Sequence, residues 1–158
     1  MKKQPDTFIP TNAADQVVVE EIFLPEKGES IYLPLFLESV SAGFPSPADD
    51  YLERRLDLNE FLIRNPSATF FVRVTGDSMN NAGIYSQDIL IVDRSLQAKD
   101  GNIVIAVING ELTVKRLHFV KKKIYLLPEN NKYKPIEITQ EMNFEVWGVV
   151  TTVIHSVI

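Results

Sequence analysis

The sequence contains no cysteine among its 158 residues. This absence excludes disulfide bonds, thiolate metal sites and a cysteine nucleophile. Histidine is almost absent as well, since only His118 and His155 occur. A catalytic triad or metal site built on histidine is therefore poorly supported. We expect no metal and no cofactor, and any catalytic chemistry must rest on other side chains.

The sequence also lacks long apolar runs and an excess of positive charge. No apolar run approaches the roughly 18 residues needed to cross a bilayer. The N-terminal stretch MKKQPDTFIP lacks the apolar core of a signal peptide. We therefore expect no membrane association and a cytoplasmic protein. Net charge is −5, and the basic run Lys121–Lys123 is interpreted as a solvated turn between strands. Direct, sequence-specific DNA binding is not expected.

The composition that remains suits one compact domain with an N-terminal arm. Hydrophobic residues make up 45% of the chain, enough for a real core. Residues 1–50 contain short apolar runs broken by Pro25, Gly28 and Pro34. These runs could add to a sheet edge or a groove, but they do not form a core of their own or a helix-turn-helix. The stretch SAGFPSPADD then predicts an extended, exposed linker.

Beyond residue 51 the chain is predicted to be mostly β. The one clear helix is in DLNEFLIRNP, where Asp57 and Glu60 form a capping pattern and Asn65-Pro66 ends the helix. The pair Asn109-Gly110 predicts a type I′ hairpin turn. This pattern indicates a curled antiparallel β-sheet or barrel-like fold with one or two short helices. The predicted strands are Thr69–Thr75, Asp88–Asp93, Asn102–Ile108, Glu111–Leu117, Lys123–Leu127, Ile136–Ile138 and Phe144–Ile154.

A serine at the end of one strand and a lysine within another are the candidate reactive pair. Ser78 lies in a Gly-Asp-Ser-Met turn, where a serine is usually a capping hydroxyl. A serine becomes a nucleophile only when a base takes its proton, and a lysine can do so only when it is neutral. Alternation in ELTVKRL puts Thr113, Lys115 and Leu117 on one face, where Lys115 could be desolvated. Most strand lysines reach water instead, so geometry must decide.

Longer stretches around these residues resemble the LexA/UmuD family of serine autopeptidases. The stretch TGDSMNNAGIYSQDILIVDRSLQAKDGNIVIAVINGELTVKRL is similar to the catalytic core of LexA-like autopeptidases. The preceding GFPSPADDYLERRLDLNEFLIRNPSATFFVRV is similar more narrowly to UmuD-like proteins of SOS mutagenesis. The resemblance runs from about Gly43 to near the C-terminus and includes the late WGVV strand. Ser78 and Lys115 are 37 positions apart, the spacing expected of this family's serine–lysine pair.

The resemblance implies a role for each residue of the pair. Ser78 is the nucleophile, and a buried, neutral Lys115 is its general base. The backbone N–H groups of Asp77 and Ser78 form the oxyanion site. Met79 completes the motif and is interpreted as core packing. No acidic third member is assigned, because a carboxylate would hold the proton on the lysine.

The same resemblance implies that the chain cuts itself between Ala42 and Gly43. The scissile bond should precede a glycine in the exposed linker, and Ala42 lies 36 positions before Ser78. Residues 1–42 would be the arm that is removed, 43–50 the linker, and 51–158 the peptidase and dimerisation domain. Ala-Gly is typical of LexA-like repressors, whereas well-known UmuD relatives have Cys-Gly, a difference that leaves the chemistry intact.

A role in the SOS response to DNA damage is also implied by the resemblance. It implies a homodimer whose cleavage is stimulated by RecA filaments on single-stranded DNA. The product, Gly43–Ile158, would join a UmuC-like Y-family polymerase in error-prone translesion synthesis. Three alternatives stay open: a LexA- or prophage-like self-cleaving transcriptional regulator, a signal-peptidase-like enzyme acting in trans, and an assembly module whose dyad is vestigial.

Overall fold

The computed structural model describes residues 17–25, 28–36 and 52–158. The described strands and helices are, in order, β1 Val18–Phe23, β2 Tyr32–Phe36, β3 Leu52–Asp57, α1 Leu58–Leu62, β4 Thr69–Thr75, a 3₁₀ turn Asn80–Ala82, β5 Ile89–Asp93, β6 Ile103–Ile108, β7 Glu111–Val120, β8 Lys123–Leu127, β9 Ile136–Ile138 and β10 Phe144–Ile154. Within these ranges no helix has the length and apolar character needed to span a membrane.

Most of these strands form one curled antiparallel sheet. Its eight strands follow the order β1-β4-β5-β10-β6-β7-β8-β9, and β2 pairs separately with β3. The mostly β prediction, a LexA-like curled sheet with few helices, is confirmed. The apolar runs of the N-terminal region do add to a sheet edge, because β1 pairs with β4. The predicted linker, 43–50, lies outside the described residues.

Period-two alternation explains why the core lies inside the curl of the sheet. Along β4 the side chains at Phe70, Val72 and Val74 are buried, whereas Phe71, Arg73 and Thr75 are partly exposed. These residues belong to the larger of two core clusters, which also holds Met79. The interpretation of Met79 as packing is therefore confirmed.

The β6–β7 hairpin sets the position of Lys115. Asn109 and Gly110 both have positive φ, 51° and 87°, as a type I′ turn requires. This turn pairs Ile108 with Glu111, and the same register places Lys115 opposite Val104. Because register is fixed by the turn, the face on which Lys115 lies is fixed with it.

Some boundaries differ from the predicted ones. Helix α1 ends at Leu62, before Asn65-Pro66, although Asp57 caps it as expected by accepting a hydrogen bond from the Asn59 N–H at 2.8 Å. Strand β7 continues to Val120, because its second half pairs with β8. Lys121 and Lys122 are exposed in the turn between these two strands, as predicted.

Candidate active site

The turn after β4 buries Ser78 completely. Gly76, with φ at 95°, reverses the backbone where the strand ends. A hydrogen bond from the Asn80 N–H to the Asp77 carbonyl at 3.3 Å closes the turn that holds Ser78, just before the 3₁₀ turn. The carbonyl of Ser78 accepts a hydrogen bond from the Glu129 N–H at 2.8 Å. The serine is therefore held from both sides, and its side chain has 0% exposure.

Lys115 is an interior lysine on the neighbouring side of the curl. Its side chain is 1% exposed, and Thr113 and Leu117 on the same face are also buried. The burial expected for this face of ELTVKRL is thus observed, although Val114 on the opposite face is buried as well, and the amine does not reach water. Burial without a counter-ion disfavours the charged form. It lowers the pKa of Lys115 from 10.5 to about 8.

The amine of Lys115 has three oxygen neighbours. Its Nζ lies 3.1 Å from Ser78 Oγ, 3.0 Å from Thr113 Oγ1 and 3.0 Å from the Val114 carbonyl oxygen. A charged amine donates to all three. A neutral amine has two hydrogens, which suit Thr113 and Val114, and a lone pair that can accept the Ser78 hydroxyl proton. The same geometry therefore serves both protonation states.

The acidic residues near the turn are engaged elsewhere. Asp77 accepts from Tyr133 Oη, from Asn130 Nδ2 at 3.3 Å and from Lys132 Nζ at 3.4 Å. The hydrogen bond from Tyr133 is the main reason that the pKa of Asp77 is lowered. These contacts tie the loop after β8 to the turn that holds Ser78. Sequence reasoning missed this role, because nothing in the spacing links residues 77 and 133.

The oxyanion assignment concerns two backbone N–H groups. In the described part of the chain, no carbonyl accepts a backbone hydrogen bond from the Ser78 N–H. The part played by both groups in stabilising an oxyanion stays a prediction.

A backbone segment that sequence reasoning did not place here contacts the serine. Val17, just before β1, is 0% exposed. Its N–H donates to Ser78 Oγ at 2.9 Å. Its carbonyl accepts from Thr113 Oγ1 at 3.3 Å and from the Val114 N–H at 3.4 Å. In the sequence, the apolar run Val17–Val19 indicated an edge strand, but nothing indicated that this strand would lie beside Ser78.

The predicted cleavage site lies outside the described residues, and His155 lies away from Ser78 and Lys115. Ala42 and Gly43 are outside the described residues, so the structure does not place them. The His155 ring lies 2.6 Å from Asp88 Oδ1, near the C-terminus. In the ranges that the structure covers, no group of three or more histidine, aspartate or glutamate side chains could hold a metal ion.

Comparisons with known proteins agree on one family. A family profile described as Peptidase S24-like matches residues 34–151. Protein SamA of Salmonella typhimurium strain LT2 is 52% identical over 123 residues, which cover 78% of this chain and 85% of SamA. Protein MucA of Escherichia coli is 46% identical over 127 residues, covering 80% and 84%. The LexA repressor of Shewanella piezotolerans is 37% identical over 133 residues, covering 84% of this chain and 63% of the repressor.

Proposed function

Because the chain belongs to the Peptidase S24-like family, we propose that it is a self-cleaving serine peptidase with a Ser78–Lys115 dyad. One observation carries the assignment. The Lys115 amine is buried, has a lowered pKa and lies 3.1 Å from the Ser78 hydroxyl. A nucleophile and base within hydrogen-bond reach are what general-base catalysis needs.

The proposed reaction begins with neutral Lys115. The amine takes the Ser78 hydroxyl proton as Oγ attacks the scissile carbonyl carbon. The resulting ammonium gives that proton to the leaving amide nitrogen, which forms an acyl-enzyme. Water then hydrolyses the ester with Lys115 again as base. Thr113 and the Val114 carbonyl hold the amine in place throughout, since both can accept hydrogen bonds from either protonation state.

We place the cut between Ala42 and Gly43. These residues belong to the segment that joins β2 to β3, and the two strands pair antiparallel. The pairing holds the two ends of that segment close together, which limits the space that the scissile bond must search. The small side chains of Ala42 and Gly43 suit close approach of the backbone to Ser78.

The similarity to SamA and MucA supports an SOS role for the cleavage product. In this proposal RecA filaments on single-stranded DNA stimulate the cut. The shortened chain, Gly43–Ile158, acts as a homodimer with a UmuC-like Y-family polymerase in translesion synthesis. A net charge of −5 agrees with a protein that reaches DNA through partners rather than directly.

The dyad is tested by incubating the purified chain at about pH 9, where Lys115 is mostly neutral. Gel time courses monitor the product, and mass spectrometry identifies the new termini. Ser78→Ala and Lys115→Met should each abolish cleavage. Lys115→Met should remain folded, because it removes a buried amine and keeps the length of the side chain. Normal conversion by either variant would refute the dyad.

Matched controls come from exposed residues of the same types. Ser86→Ala and Lys123→Met alter a serine and a lysine that are exposed at the surface. Both should cleave at the wild-type rate. If the new termini are not Ala42 and Gly43 but appear only when Ser78 is present, the peptidase proposal stands and the proposed scissile bond is wrong.

A self-cleaving repressor is the alternative that the LexA match favours. The match spans 85% of SamA but only 63% of the LexA repressor, so the likeness extends over more of SamA. We therefore prefer the SamA-like role. A gel-shift titration with operator DNA decides between the two, since a repressor would bind it specifically.

A further inference from the structure

The backbone of Val17 stands where a scissile peptide must stand. Attack requires a carbonyl carbon about 3–3.5 Å from the nucleophilic oxygen. The Val17 nitrogen is already 2.9 Å from Ser78 Oγ and donates its hydrogen there. Two backbones cannot share that space. While Val17 is seated, no other segment can present a carbonyl to Ser78.

The Val17 backbone also occupies hydrogen-bond donors that lie close to Ser78. The Val17 carbonyl accepts from the Thr113 hydroxyl and from the Val114 N–H. Strand β8 pairs only with the second half of β7, from Arg116 onward. Strand β8 therefore leaves the edge of β7 near Val114 to another extended segment, and among the described residues Val17 hydrogen-bonds there.

Contacts along β1 hold this segment in the groove. The strand pairs with β4 from Val18 opposite Thr75 to Phe23 opposite Phe71. Its outer face adds an ion pair between Glu21 and Arg73 at 3.0 Å, which is exposed and contributes little. The buried Val17 side chain, at 0% exposure within the main core cluster, adds apolar anchoring to this backbone pairing.

We propose that Val17 and β1 form an internal competitive inhibitor, which occupies the substrate groove at Ser78 and must leave before the segment carrying Ala42–Gly43 can bind. The inference rests on the self-cleavage proposed above. The family profile begins at residue 34, so β1 lies outside the part of the chain that it matches.

A strand that only supports the fold would behave differently. Weakening a purely structural strand slows cleavage or leaves it unchanged, because the site is loosened. Weakening a competitor accelerates cleavage, because the groove is empty for a larger fraction of the time. The direction of the effect therefore separates the two roles.

Val17→Ala is the test, with Ile22→Ala as the matched control on the same strand. Ile22 is 45% exposed and does not touch the serine. Loss of two buried methyl groups at Val17 should raise the first-order cleavage rate about tenfold at about pH 9. The control should stay within about twofold of wild type. Equal rates in Val17→Ala and wild type, with cleavage still dependent on Ser78, overturn the inhibitor and leave the peptidase standing.

A peptide competition supplies a second measurement that a structural role would not affect. The synthetic peptide VVVEEIFLP, residues 17–25, is added in excess to the Val17→Ala chain. It should slow cleavage in proportion to occupancy, whereas a scrambled peptide should not. No slowing at saturating peptide overturns the inference. Should Val17→Ala lose its cooperative thermal transition, Val17→Thr, which keeps the shape and buries a hydroxyl, takes its place in both measurements.

The two proposals fail in different ways. Absence of cleavage from wild type and from Val17→Ala overturns the peptidase and the inhibitor together. Cleavage that persists when Ser78→Ala is combined with Val17→Ala does the same, because the cut then does not use the dyad. Ser78-dependent cleavage that fails to accelerate in Val17→Ala, or that the peptide fails to slow, overturns the inhibitor alone.

Discussion

Lys115 combines a cost to folding with a gain in reactivity. Its amine is 1% exposed, and burial lowers its pKa from 10.5 to about 8. Between these two pH values the unfolded chain holds a proton that the folded chain has lost. Stability therefore rises with pH across that window, and the penalty for burying the charge is fully present below about pH 8. The same penalty makes a neutral base available near physiological pH.

In the proposed mechanism, this pKa sets the pH dependence of self-cleavage. Below a pKa of about 8, the neutral fraction of Lys115 grows about tenfold with each pH unit, and the rate should grow with it. Above that pKa the rate should level off. Single-turnover time courses between about pH 6 and pH 10 measure the profile. A rate that is flat across this range would mean that Lys115 does not act as the base.

For single residues, the sequence identifies the candidate pair Ser78 and Lys115 more readily than it identifies the residues that contact the pair. Ser78 and Lys115 were identified from a short motif, strand alternation and the family resemblance. Strand alternation already placed Thr113 beside Lys115, whereas Val17 contacts Ser78 from a segment whose sequence shows no such motif. The Val17 contact joins positions 61 residues apart. Contacts of this kind depend on how the sheet curls, which local pattern does not encode.

Strand β10 lies at the centre of the sheet, between β5 and β6, and is the element least tolerant of added volume. Its register shifts between Val146 and Gly148. A Cβ built on Gly148 would lie 2.6 Å from Val92 Cγ1 and 3.2 Å from the Asp93 carbonyl oxygen. Glycine is therefore required here by close approach of the neighbouring strand.

Gly148→Ala should destabilise the domain by about 1–3 kcal/mol, since Val92 is fully buried and cannot move aside freely. The urea midpoint measures the loss. Gly28→Ala is the control, because nothing lies within 4 Å of a Cβ at Gly28. The urea midpoint of Gly28→Ala should correspond to a change in the free energy of unfolding below about 0.5 kcal/mol. Equal midpoints for the two variants would show that β10 and β5 can separate without cost.

Strands were predictable where apolar and polar residues alternate regularly and where typical turn residues flank the strand. The limits of β4, β8, β9 and β10 agree with the predicted ones. Strand β3 was not predicted, because LERRLD has charged residues at its centre and pairs only with β2. Such a two-stranded pairing is marginal by itself and leaves a weak sequence signal.

At the scale of the whole molecule, nucleophile and proposed substrate belong to one chain. The encounter between them is then replaced by an effective concentration that does not change on dilution. The first-order rate constant should stay constant when the protein is diluted about a hundredfold. Gel time courses at several concentrations measure it. A rate constant that falls in proportion to concentration would indicate cleavage between chains that associate only weakly.

The pairing of β2 with β3 separates the proposed chemical step from the release of the severed arm. Hydrolysis between Ala42 and Gly43 would break no hydrogen bond between β2 and β3. The immediate product would therefore be a nicked, noncovalent complex in which the severed fragment is still bound through β2, and in which β1 can pair with β4 again once the groove is empty. Its dwell time, and not the hydrolysis itself, sets the moment at which the edge of β4 becomes available to another protein. A denaturing gel would record such a molecule as processed while its native surface is still that of the intact chain.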